Sequence, residues 1–157
     1  MSMRQEDGAG DMKVRREILV SAARAAGLFI PANLANSAMR YVRTDVQRGD
    51  LADEINRFRS ELESISLGFE VHPAEVLMPA IYGLWANLDS LNAPRTHPRI
   101  QEFKARTAFY AGTLSTALGA IESGTRWFTV GHGYAILSGN RGLKSIGHSR
   151  EAIAGLY

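Results

Sequence analysis

Histidines stand at 72, 97, 132 and 148, and the last two fall in one glycine-rich stretch, GHGYAILSGNRGLKSIGHS, at residues 131–149. Glycine lets backbone amides crowd around an anion and histidine titrates near neutrality, so the pairing invites comparison with a phosphate loop or a proton-transfer site. The phosphate-loop pattern places a glycine and four residues ahead of Gly-Lys-Ser/Thr. SGNRGLKS (138–145) departs from it twice, because Gly139 and Gly142 stand too close and Leu143 separates Gly142 from Lys144. Nor does anything upstream supply the alternating strands and helices in which such loops are set. What remains is a generic anion site built from Asn140, Arg141 and Lys144, set against a solvated turn leading into a last helix. His132 and His148 are the candidates for proton transfer.

Other site chemistries fare worse. Cysteine is absent, which excludes thiolate zinc sites, cysteine nucleophiles and disulfides. The histidines lack the HExxH or paired spacing that puts two ligands on one helical face, and His72 with Glu75 reads better as a helix start before Pro73. Neither a metal nor a cofactor is expected. The serines lie in no GxSxG elbow. The carboxylates of ELE (61–63) and of Asp53-Glu54 are sequence neighbours, which point apart on a helix and do not face each other across a cleft. The balance favours a non-enzymatic protein.

Charge is unevenly distributed behind a formal net value of +2. Residues 61–94 carry five acids and no lysine or arginine, whereas residues 95–157 carry eight bases and three acids. Such blocks can pair within the fold, pair between copies of the chain, or offer a basic surface to an anion. Arg40 and Arg43, with Gln47, fall along one helical face, and Arg141 and Lys144 belong to the basic last third, where Trp127, Phe128 and Tyr134 are interleaved. Phosphate neutralisation with base stacking needs that combination, so nucleic-acid binding is one reading.

The elements that must position these residues are mostly helices. A chain of 157 residues with 45% hydrophobic and 22% charged residues is long enough and apolar enough to form a core unaided. Residues 1–11 are expected to be a flexible N-terminus and 12–157 one helical domain. Leu34, Ala38, Tyr41, Val42 and Val46 predict a helix opening after Pro31 and stopping at Gly49. Asp50 caps the next, whose stripe Leu51, Ile55, Phe58, Leu62, Ile65 repeats at spacings of four and three. Arg57 and Arg59 stand four residues from acids on that helix. His72-Pro73 begins another, with Val76, Leu77, Ile81, Leu84, Trp85, Leu88 and Leu91 facing inward and Pro79 expected to kink or divide it. After a loop at 92–98, a long helix is expected from Arg99 to Glu122, its Gly112 and Gly119 marking close packing. Then the period changes: RWFTV and YAIL around Gly131-His132-Gly133 read as a short hairpin, and His148 to Leu156 as a short last helix. The expected fold is therefore mainly α, a single-domain bundle of five or six helices with a short C-terminal β-hairpin.

No stretch approaches the roughly 20 apolar residues of a transmembrane helix, so the expectation is a soluble, cytoplasmic protein. The alternative is a periplasmic one. KVRREILVSAARAAGLFIPANLANSA (13–38) resembles a twin-arginine export signal, with Arg15-Arg16, a weakly apolar run, Pro31 and a small-residue stretch ending near Ala38. The same residues also read as an amphipathic first helix through Ile18, Ala22, Ala25 and Phe29. The leading functional expectation is a helical interaction or regulatory protein, joined to a protein partner or to itself through residues such as Leu51, Phe58, Trp127 and Phe128. The alternatives are nucleic-acid binding by Arg40, Arg43, Arg141 and Lys144, and a small-ligand or anion site, or an enzyme, in the 131–148 loop.

Overall fold

The computed structural model describes residues 2–28, 30–91 and 97–155, with side chains from residue 8 onward. Its α-helices are α1 (Ser2–Ala25), α2 (Ala32–Ala38), α3 (Leu51–Gly68), α4 (Ala74–Ser90), α5 (Pro98–Ala117), α6 (Ile121–Ser138) and α7 (Arg141–Ala154), with short 3-10 turns at Met39–Tyr41 and Val46–Arg48. Among the described residues there are seven α-helices and no strand, so the mainly α expectation holds and the hairpin does not.

α4 is the axis of the fold. Leu77, Met78, Ile81, Tyr82, Leu84, Trp85, Ala86 and Leu88 are all buried, on every side of the helix, and α1, α2, α3 and α5 pack around it. A helix apolar all round is one enclosed by its neighbours. Pro79 lies inside it without dividing it, and Val76, expected to face inward, is exposed at the first turn. α3 buries Phe58, Leu62 and Ile65 as its stripe predicts, and the Asp50 carboxylate accepts from the Ala52 N–H at its start. Arg59 bonds Asn56.

The helix expected to open after Pro31 and stop at Gly49 is broken. α2 ends at Ala38, and Val42 is fully buried in extended backbone. The cause is a seat on α4. Asn87 accepts from the Arg43 N–H at 2.7 Å and donates to the Tyr41 carbonyl at 3.0 Å, while Gly83, one turn earlier, leaves room for the Tyr41 backbone. A side chain that satisfies one donor and one acceptor of a passing extended segment does the work of a ladder partner.

In α1, Leu19, Ala22 and Ala23 are buried, Ala25 is exposed, and Phe29 lies outside the described residues. Arg15 pairs with Asp11 at 2.7 Å and reaches the Met39 carbonyl, and Arg16 bonds Asn36, so both arginines of the export-signal resemblance tie α1 to its surroundings. No helix among the described residues is long and apolar enough to cross a membrane.

Among the described residues, α5 and α6 form the most extensive helix pair. α5 ends earlier than expected because Gly119 is not a helix-interior residue. At φ +84° it adopts the left-handed conformation, with its N–H on the Thr116 carbonyl and that of Ala120 on the Ser115 carbonyl, the pattern that closes a helix C-terminus. Gly112 is where close packing does occur, since a Cβ there would meet the Phe128 ring at 3.0 Å.

Candidate functional site on α6 and α7

The segment expected to form a hairpin is α6. Read at helical spacing, Gly124, Trp127, Phe128, Gly131 and Ala135 form one buried face against α5. Gly131 is a packing residue, for a Cβ there would meet the Phe109 ring at 2.5 Å, and Gly147 of α7 makes the same allowance for Phe109. Aromatic and branched residues favour strands in general, but here tertiary packing decides.

The two helices turn back on each other through Gly139 and Asn140. Gly139 ends α6 at φ +73°, and the Asn140 carboxamide accepts from the Leu143 N–H at 3.3 Å and caps α7. α7 therefore begins at Arg141, seven residues ahead of the expected start. Its buried residues are Leu143, Gly147 and Ala154, and its Arg150 guanidinium lies 4.6 Å from the centre of the Tyr110 ring and 5.5 Å from that of Phe69.

This reversal brings His132 of α6 beside His148 and Glu151 of α7. His132 Nε2 donates to the Glu151 carboxylate at 2.9 Å, the two imidazole rings lie 4.5 Å apart between centroids at 32°, and His132 stands edge-on to Phe109 at 5.2 Å. Ligating atoms of His132, His148 and Glu151 all lie within 4.8 Å of one another. Two imidazoles and a carboxylate at that range can share a proton or hold a cation. His132 Nδ1 is buried with no hydrogen-bond partner among the described residues.

The remaining sequence candidates are dispersed. Arg40 is exposed on its 3-10 turn. Arg43 turns inward, its guanidinium holding both oxygens of buried Glu54 at 2.8 Å, with Asp45 at 3.2 Å on the outer side. Hydrogen bonding to Glu54 raises the Arg43 pKa above its ordinary value, so this charge is already matched within the protein. Arg141 and Lys144 are exposed on α7, and Asn140 is committed to the helix cap. Leu51 is half-buried at the start of α3. Phe58, Trp127 and Phe128 are core residues, Trp127 lying 6.0 Å from Tyr82 and 5.3 Å from Trp85 between ring centroids, and none of the three is presented to a partner.

Glu151 is the residue the sequence reading missed. The available signal was the sequence Gly139-Asn140, a helix stop followed by a helix cap, which would have folded the stretch back and aligned His132 with the His148-x-x-Glu151 turn. No protein family, curated protein or solved structure matches this chain.

Proposed function

We propose that the chain is a non-enzymatic helical protein that acts by association, copies of it joining head to tail through two faces of opposite charge. One observation carries the reading: among the described residues, the most exposed large aliphatic side chains are grouped at two turns, each within a sequence block of one charge sign. At the α3–α4 turn, Leu67 is 78% and Val71 75% exposed, and exposed Glu63, Glu70, Glu75 and Val76 are their neighbours in sequence. At the α6–α7 turn, Ile136 is 66% and Leu137 64% exposed, next to exposed Arg141 and Lys144. Single exposed aliphatics are ordinary, but groups rimmed by charge are what association surfaces offer. An acidic rim against a basic rim favours encounter between unlike faces, which gives a heterologous contact.

Sedimentation velocity across protein and salt concentrations tests this, using the wild type and two double variants, Leu67→Asp/Val71→Asp and Ile136→Asp/Leu137→Asp. Each variant alone is expected to be monomeric, and an equimolar mixture to form dimers, because each still carries one intact face. A wild type that stays monomeric at high concentration, or variants that associate as it does, would reject the proposal.

A further inference from the structure

We infer that His132, His148 and Glu151 bind a divalent first-row transition metal ion, which clasps α7 to α6. The donors come from two helices and converge, with their ligating atoms within 4.8 Å of one another. Donors in a tetrahedral zinc site lie about 2.0–2.2 Å from the ion, hence roughly 3.3 Å from each other. His148 and Glu151 are exposed, so solvent leaves their side chains room to shift toward an ion, while His132 is half-buried against Phe109. Ligation replaces the 2.9 Å contact between His132 and Glu151 and releases its proton, because metal ions and protons compete for the same lone pairs, so binding weakens as the pH falls.

The donor set selects the ion. Two imidazoles suit zinc, nickel, cobalt or copper, whereas calcium and magnesium call for shells of oxygen. Three protein donors leave a position facing solvent for water or another small ligand. Since two donors belong to α7 and one to α6, ligation closes a loop across the α6–α7 turn, and binding favours the conformation in which α7 is docked.

The test is calorimetric titration of the full-length chain with zinc in a non-coordinating buffer, repeated with cobalt and read by its visible absorption. One ion per chain is expected. His148→Ala and Glu151→Gln, both exposed and so compatible with folding, should each weaken binding by at least tenfold and shift the cobalt spectrum, while His72→Ala leaves both unchanged. Zinc should also raise the melting temperature of the wild type and not that of His148→Ala. Absence of saturable binding, or one-to-one binding that neither His148→Ala nor Glu151→Gln weakens, would overturn the inference.

Discussion

Arg43 and Glu54 are bound more tightly to each other than a surface pair would be, because Glu54 is only 5% exposed and receives two guanidinium N–H bonds at 2.8 Å. Removing Arg43 leaves a carboxylate in the interior with its desolvation uncompensated, so Arg43→Ala should cost about 3–5 kcal/mol in urea denaturation. Asp45→Ala, which removes the solvent-facing partner, should cost less than about 1 kcal/mol. The double variant Arg43→Met/Glu54→Leu should cost less than the summed losses of Arg43→Met and Glu54→Leu, and a loss equal to that sum would show that the pair is not coupled. Tyr82 supplies a pH signature at the same scale. Burial pushes its phenol up to about 12, an effect softened by the Ser115 hydroxyl. A folded-state pKa above the unfolded value near 10 means that the native state retains the proton longer. Its contribution is therefore fully present below pH 10 and lost as the pH rises to about 12. Stability should fall by about 2–3 kcal/mol across that window, and Tyr82→Phe should remove this part of the fall in denaturation curves taken at successive pH values.

At the scale of elements, Gly131-His132-Gly133 separates two readings of the same residues. If the segment were a hairpin turn, both glycines would be needed for backbone conformation. In helix α6 they differ: a Cβ on Gly131 would press into Phe109 and the Ala105 carbonyl, whereas one on Gly133 meets nothing within 4 Å. Gly131→Ala should therefore destabilise by about 1–3 kcal/mol through overpacking, and Gly133→Ala should stabilise by about 0.5–1 kcal/mol through helix propensity. Chemical denaturation reads both, and losses of similar size would favour the turn. The helices whose apolar spacing is regular are legible in the sequence, α3 above all, as are the cap at Asp50 and the helix start at His72-Pro73. The break at 39–48 was not, because it depends on Gly83 and Asn87, which lie some 40 residues away. α6 does not show in the local sequence because Trp127, Phe128 and Val130 favour strands, and what makes them helical is the glycine and alanine face that packs against α5. The candidate site is half legible: His132 and His148 stand out in the glycine-rich stretch, but their meeting, and Glu151, depend on the turn at Gly139-Asn140.

Across the described residues, burial divides into two clusters of unequal size. The large core gathers α1 to α5 and Trp127 of α6 around α4, while α7 joins a smaller cluster of Ala105, Phe109, Phe128, Ala135, Leu143 and Ala154. α7 is intrinsically weak as well. It has no acid in its first turn, Arg141 and Lys144 oppose the helix dipole there, and Gly142 and Gly147 each cost up to about 1 kcal/mol relative to alanine. A helix so held should open on its own, below the free energy of global unfolding. Native-state hydrogen exchange followed by mass spectrometry should thus show peptides covering 141–154 losing protection well before those covering 77–88 of α4. Equal protection in the two regions would make α7 part of a single cooperative unit. With zinc added, exchange in 141–154 should slow while 77–88 is little changed, because an ion held by His132, His148 and Glu151 acts on the local opening of α7.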